Sequence, residues 1–326
     1  KRMALNEGAE SCFATASGMS AVFSALMSYL KAGDHLVSSR ALFGSCYHII
    51  DKILPQYGII TEFVDGTDQT QWEKHITKET KCIFFETPSN PTMDIIDIQN
   101  VSDLAHRNNA LVIVDNIFAS PVLQKPMELG ADIVVYSGTK HIDGQGRSMG
   151  GAVLSTNKFR EDYLKPFIRH TGPTLSPFNA WILLKGLETS QYRMDVHCRN
   201  ALKIAEYLNN QKNIIKIIYP ELRSHPQFDL GKKQMLQSGS IVTFIIKGGK
   251  QKAFSFLNAL KLIDISNNLG DTKSLATHPA TTTHRVIGEA GRRKLKIDDG
   301  MIRLSIGLED PRDLIEDINQ SLEKLI

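Results

Sequence analysis

A lysine directly follows small, hydroxylated residues in Ser137-Gly138-Thr139-Lys140, which sets one amine beside two hydroxyls able to donate to an anion. An amine so placed can act as a nucleophile or carry a proton. Gly138, Gly144, Gly146, Gly150 and Gly151 crowd the same stretch and allow the backbone to approach a bound group closely. Taken alone, Ser-x-Thr-Lys more often marks an exposed lysine in a glycine-rich loop, because short motifs match by accident. Three further places carry polar residues of a useful kind. Asp115 closes the run VIVD and can serve either as an acid in a site or as the cap of the next helix. Around Ser17-Gly18 a small-residue stretch turns into a helical apolar pattern; the entrance of that helix is a phosphate seat or merely a close-packed helix start. Arg303 lies between Ile302 and Leu304, where an arginine usually points to the solvated face and otherwise pairs with a buried anion.

The elements that would hold these residues alternate. His35–Ser39, Ile59–Val64, Lys81–Glu86, Leu111–Asp115, Ile133–Tyr136 and Gly151–Ser155 are apolar runs of strand length, and segments such as Phe43–Gln56 and Ile98–Asn108 carry helical spacing. Continuous apolar strands separated by helices predict an α/β fold, a mostly parallel sheet with helices on both faces. In such sheets ligands sit beyond the carboxyl ends of strands, where Glu86-Thr87-Pro88-Ser89-Asn90, Asp115-Asn116 and Ser137–Lys140 all fall. After the proline-containing loop GPTLSPFNAW a long amphipathic stretch, Ala180–Asn209, predicts the start of a smaller α+β domain. Its strands are expected at Ile214–Tyr219, Ser240–Ile246 and Met301–Gly307, and its helices around Gln251–Leu260 and Asp310–Ile326. Residues 268–284, NLGDTKSLATHPATTTH, read as a functional loop too polar for core.

Composition narrows the partners. A formal charge of +3 over 326 residues, with no run of five like charges, gives no support to a nucleic-acid or membrane surface. The four cysteines are scattered and form no Cys-x-x-Cys, so no zinc site or disulfide framework is predicted, and a cytoplasmic setting fits. GxxxxGK[ST], GxGxxG after the first strand and HExxH are all missing, which removes the main support for P-loop, dinucleotide and zincin sites; no metal is expected. What remains is a lysine and an aspartate on separate strand ends, a helix entrance and hydroxyls suited to phosphate, and an arginine suited to carboxylate. Pyridoxal phosphate needs each of these, together with an aromatic face over its ring, for which Phe43 is the candidate.

The sequence resembles the pyridoxal-phosphate enzymes of cysteine and methionine metabolism, fold type I. The stretches carrying the resemblance are ATASGM (Ala14–Met19), ETPSNPT (Glu86–Thr92), VDN (Val114–Asn116), SGTKHIDGQG (Ser137–Gly146), LGDTKSLATHPATTTH (Leu269–His284) and RLSIGLED (Arg303–Asp310). By that resemblance Lys140 carries the cofactor and shuttles the proton, and Asp115 partners the pyridine nitrogen. Gly18, Met19, Ser137 and Thr139 hold the phosphate, Phe43 stacks on the ring, and Asn90, Ser274 and Arg303 hold the substrate amino acid. Most of the family has a tyrosine where this chain has Phe43, so the proton-shuttling hydroxyl of that residue is missing here.

The resemblance further implies a large cofactor-binding α/β domain over residues 1–180, lacking the family's N-terminal part with its Tyr-x-Arg motif, and a smaller α+β domain over 181–326. It implies a homotetramer built from active dimers. RALFGSC, KHIDGQGR, GPTLSPFNAW and GDTKSL are most similar to the branch that replaces the succinyl group of O-succinyl-L-homoserine with sulfide. The alternatives are cysteine as nucleophile (a cystathionine γ-synthase), an O-acetylhomoserine sulfhydrylase, a cystathionine or methionine γ-lyase, and a catalytically silent pyridoxal-phosphate-binding scaffold. Lys273 in GDTKSL stands where the cysteine-using and lyase members carry a glutamate, and its cation is expected to favour HS⁻ or the departing carboxylate.

Overall fold

The computed structural model describes residues 1–325 and divides into two compact units. The first comprises Lys1–Asn90, Asp94–Asp143 and Arg147–Glu188; the second comprises Pro91–Met93, Gly144–Gly146 and Thr189 onward. The break therefore falls after Glu188 and not at residue 180. The stretch expected as one long amphipathic segment is two helices, Pro177–Glu188 and Ser190–Asn209. The former belongs to the first unit because Leu183 joins its core and Gly186 lies flush against it: a Cβ there would stand 2.2 Å from the Ile142 carbonyl oxygen.

The first unit is built on a seven-stranded sheet: β1 (Ser11–Thr15), β2 (His35–Ser39), β3 (Ile60–Val64), β4 (Thr80–Glu86), β5 (Leu111–Asp115), β6 (Ile133–Ser137) and β7 (Gly151–Ser155), in the order β1-β7-β6-β5-β4-β2-β3. From β3 across to β6 every pairing is parallel, and β7 runs antiparallel to both β6 and β1. The mostly parallel α/β sheet expected from the continuous apolar runs is present. β1 went unread in the sequence because its residues, SCFAT, are too small and mixed for an apolar run.

Period two sorts the runs onto two cores. Ile83, Phe85, Val112, Val114, Val134 and Tyr136 enter one, while Cys82, Phe84, Ile113, Ile133 and Val135 enter the other. Each face needs its own helices. The Ile98–Arg107 helix, capped by Asp97 through the Asn100 N–H, covers the first with Ile98, Val101 and Ala105. The Gly18–Met27 helix, capped by Ser17 through the Ser20 N–H, covers the second with Ala21, Val22, Ala25 and Leu26. Full burial of each valine, leucine or isoleucine among these contributes about 1.5–3 kcal/mol, and of each alanine less.

The second unit has a five-stranded sheet of β8 (Ile214–Ile218), β9 (Ile241–Ile246), β10 (Asp264–Ile265), β11 (Leu275–Thr277) and β12 (Met301–Ser305), ordered β10-β11-β12-β9-β8, with only β10 and β11 parallel. Val242, Phe244, Ile302 and Leu304 face a core closed by helices Ser190–Asn209, Gly249–Ala259 and Pro311–Glu323. Residues of opposite parity, Thr243, Arg303 and Ser305, are also buried, but on the other face. The expectation that residues 268–284 form a polar loop is corrected. Leu275–Thr277 is a strand and residues 274–280 are buried. Polarity does not keep them out because hydroxyls find partners: Thr282 Oγ1 donates to the His278 carbonyl, and Thr277 and Thr282 hydroxyls lie 3.0 Å apart.

Candidate active site

Three neighbouring strands of the first unit end in residues of one parity. Glu86 and Asp115 are register partners across β4 and β5, and Asp115 is paired with Val135 of β6, two residues before Ser137. Phe84, Ile113 and Val135, each two residues earlier, all lie in the core covered by the Gly18–Met27 helix. Glu86, Asp115 and Ser137 therefore project from the same face, at the carboxyl ends of adjacent strands about 4.8 Å apart. The helix entrance meets them there: a Cβ on Gly18 would lie 2.7 Å from Ser137 Cβ, so only glycine lets the free N–H groups of that first turn come so close. Gly151 is held the same way, since its Cβ would lie 2.1 Å from the Ser17 carbonyl oxygen.

After Ser137 the chain makes a turn over Gly138–Ile142 that Lys140 interrupts, with φ −93° and ψ −129°. Gly138 N–H donates to the Gly150 carbonyl at 2.7 Å, and Thr139 Oγ1 accepts from Gly150 N–H at 3.3 Å, so glycine backbone braces the lysine turn. Lys140 and Thr139 are half-buried. His141, 2 % exposed, has Nδ1 3.2 Å from the Ile117 carbonyl, and Ile117 N–H in turn donates to Asp115 Oδ1 at 3.1 Å. The lysine turn and the aspartate loop are thereby joined through one histidine.

Asp115 is 1 % exposed, and its Oδ2 has no hydrogen-bond partner among the described residues. Burial pushes its carboxyl up from 3.8 to about 7, against which the Ile117 N–H works in the opposite sense. A buried carboxylate oxygen without a donor is costly unless a cationic or N–H group is brought to it. A protonated pyridine nitrogen is such a group. The glycine-lined approach of the Gly18 helix entrance to Ser137 likewise suits a phosphate, so the residues present fit pyridoxal phosphate. Asp115 caps no helix: it is followed by a loop in which its Oδ1 takes a single N–H.

Glu86 was not singled out in the sequence, yet it organises two candidates. Its Oε2 accepts the Phe43 backbone N–H at 2.7 Å and its Oε1 accepts the Asn90 N–H at 3.0 Å, all with the carboxylate 2 % exposed. Phe43 is half-buried against the core that Met19 also touches, and Asn90 is 3 % exposed. The signal available beforehand was an acid at a strand end, in ETPSNPT. In the second unit Arg303 on β12 is 1 % exposed, which excludes the solvated position, and Nη2 donates to the Asn267 and Asn268 carbonyls at 3.1 Å each. The Ser274 hydroxyl donates to Glu309 Oε2 at 2.9 Å and accepts from Gly307 N–H at 2.8 Å, so its proton is committed within the unit.

Lys273 does not behave as expected. Its side chain is 64 % exposed and Nζ sits 3.1 Å from Asp264 Oδ2, itself 58 % exposed. A solvated, paired cation is screened and creates little local field. The choice of nucleophile does not rest on it. Among the described residues no three His, Cys, Asp or Glu side chains group to hold a metal ion, and no helix is long and apolar enough to cross a membrane.

The chain is 52% identical to O-succinylhomoserine sulfhydrylase of Mycobacterium tuberculosis over 326 residues, covering 99% of this chain and 80% of that protein. It is 44% identical to the enzyme of the same name from Pseudomonas aeruginosa, covering all of this chain and 80% of that one. To an L-methionine gamma-lyase of Fusobacterium nucleatum subsp. polymorphum it is 43% identical, covering all of this chain and 82% of the lyase. The crystal structure of metB from Corynebacterium glutamicum superposes with a TM-score of 0.95 at 37% identity, over 99% of this chain and 83% of that one. With the family model for "Cys/Met metabolism PLP-dependent enzyme" matching residues 1–323, the chain belongs to that family of pyridoxal-phosphate enzymes.

Proposed function

We propose that the chain catalyses γ-replacement on O-succinyl-L-homoserine: sulfide displaces succinate and L-homocysteine is formed, a step of methionine biosynthesis. The buried, donorless Oδ2 of Asp115, on the strand-end face that also presents Ser137, carries the cofactor part of this reading. The succinyl and sulfide specificities are supported by the relatives at 52% and 44% identity.

Pyridoxal phosphate, when bound, supplies a protonated ring that draws electrons away from the substrate's α-carbon. The residues of the chain do the rest. Ser137, Thr139 and the Gly18 and Met19 N–H groups hold the phosphate. Asp115 Oδ2 keeps the ring nitrogen's proton in place by opposite charge. Phe43 covers the ring without offering a hydroxyl. Lys140 Nζ binds the cofactor, removes the α-proton of the substrate and returns a proton. Arg303 takes the substrate α-carboxylate on its planar fork, and Asn90 adds a hydrogen bond. Ser274 contributes by holding Glu309, because its N–H and its hydroxyl both already donate to that carboxylate. Overall the Cγ–O bond breaks with its electron pair leaving on succinate, and the Cγ–S bond forms from a pair on HS⁻, so charge and protons balance.

We place the enzyme in the cytoplasm as a homotetramer of active dimers. Supporting the assembly, Phe178, Trp181 and Leu184 recur every third residue of one helix at 66 %, 57 % and 43 % exposure, an apolar stripe suited to an interface. A second reading, methionine γ-lyase, is favoured by the relative at 43% identity. Steady-state assays separate them: O-succinyl- and O-acetyl-homoserine, each with sulfide or cysteine, and methionine alone. The highest kcat/KM is expected for O-succinylhomoserine with sulfide. A higher value for cystathionine formation overturns the sulfide assignment, and a higher value for methionine cleavage replaces it with the lyase.

A further inference from the structure

Behind the strand ends, on the sheet face opposite Asp115, runs a chain of buried polar groups that the reaction does not itself require. Tyr136 of β6 and Asn116 after β5 have the opposite parity to Ser137 and Asp115, and so point to the other core. The Tyr136 hydroxyl donates to Glu7 Oε2, 129 residues away in sequence, and accepts from Asn116 Nδ2 at 2.6 Å. Asn116 Nδ2 also donates to the Gln124 carbonyl at 2.8 Å, and Asn116 Oδ1 accepts from Gln124 Nε2 at 2.8 Å. Gln124 Nε2 finally donates to the Thr87 carbonyl at 2.9 Å. Glu7, Thr87, Asn116, Tyr136 and Gln124 are each at most 2 % exposed.

One chain of hydrogen bonds thus ties together the ends of β4, β5 and β6, the strands whose other face presents Glu86, Asp115 and Ser137. Its direction is set from both ends, by Glu7 at one and by the Ser120, Gln124 and Thr87 carbonyls at the other. Tyr136 has a single proton, and giving it to Glu7 leaves the phenol oxygen to accept from Asn116; the amide then has its oxygen turned toward Gln124. We propose that Glu7 is a positioning residue for Asp115, fixing through Tyr136 and Asn116 where the carboxylate meets the cofactor's ring nitrogen. This rests on the reading of Asp115 given above. A buried, satisfied network of this kind holds a group within the fraction of an ångström that such a contact demands.

The groups facing Glu7 are few. They are Tyr136 from β6, the Met127 N–H at 3.3 Å, and the charges of Glu128 on the turn over Pro126–Leu129 and of Lys125 just before it, of which the lysine favours and the glutamate opposes its ionisation. Burial outweighs them and pushes Glu7 up from 4.5 to about 7, so its acceptor role is strongest above neutrality.

The test compares the cofactor-loaded parent with Glu7→Gln, Tyr136→Phe and the double variant, reading the visible absorption of bound pyridoxal phosphate against pH, its dissociation constant, and kcat and KM. Expected is a midpoint displaced by about half a pH unit or more in each single variant. The double variant should show no further displacement, because the two residues act as one unit. Dissociation constants should stay within about tenfold and kcat should fall with KM little changed. Spectra that titrate as the parent's do, with only a lower melting temperature, would overturn the positioning role in favour of a purely structural one, as would failure of both single variants to fold. A parent that binds no pyridoxal phosphate would instead overturn the reading of the site, and this inference with it.

Discussion

Replacing Asp115 by asparagine should have opposite effects on the cofactor-free and the cofactor-loaded protein. Without cofactor, the carboxyl is held at about 7 by burial, against 3.8 in an unfolded chain. A group whose folded value is raised contributes its full stability below the unfolded value and loses it as pH rises through the folded one. Between 3.8 and about 7 the loss accumulates at about 1.36 kcal/mol per pH unit, roughly 4 kcal/mol in all. An amide does not titrate, so the variant escapes this loss while keeping an oxygen for the Ile117 N–H. Relative to the parent, cofactor-free Asp115→Asn should therefore gain roughly 3 kcal/mol between pH near 5 and pH near 8, whatever the amide costs by itself. Denaturant unfolding at the two pH values measures it. With pyridoxal phosphate the order reverses: the parent gains the pairing of a carboxylate with a ring cation, the variant does not, and its cofactor should dissociate at least tenfold more readily. A stability difference that is flat in pH, or equal cofactor affinity in the two proteins, would refute the reasoning.

Gly18→Ala places a methyl group 2.7 Å from Ser137 Cβ; destabilisation of about 1–3 kcal/mol and weaker phosphate binding are expected, measured by unfolding and by titration with inorganic phosphate and with the cofactor. Arg303→Lys keeps the charge but loses the fork and the paired contacts to the Asn267 and Asn268 carbonyls. KM for O-succinylhomoserine should rise by about tenfold or more, with a smaller change in kcat, and an unchanged KM would remove Arg303 from substrate binding.

The sheet was legible because β4, β5 and β6 are buried on both faces, which forces continuous apolar runs that stop where the backbone reaches the site. The residues at those stops were legible for the same reason: a polar side chain at the end of such a run has no core to enter. What sequence could not give is contact between distant residues. Ile302-Arg303-Leu304 reads the same whether the off-core face of β12 is wet or covered, and only the fold shows it covered. The resemblance gives Ser274 to the substrate, and only the fold shows its hydroxyl donating to Glu309 and accepting from the Gly307 N–H. Lys273 carried meaning only as a charge difference, and the fold places it in water beside Asp264. The pairing of Glu7 with Tyr136 spans too much sequence for any local pattern to announce it.

We propose that the turn after β6 seats the cofactor on Lys140. Reduction of the cofactor-loaded protein with borohydride, followed by digestion and mass spectrometry, fixes and locates the amine that carries pyridoxal phosphate. A single pyridoxyl group on the peptide containing Ser137–Lys140 is the expected result; the label on any other lysine, or none on a protein that has bound cofactor, would contradict it.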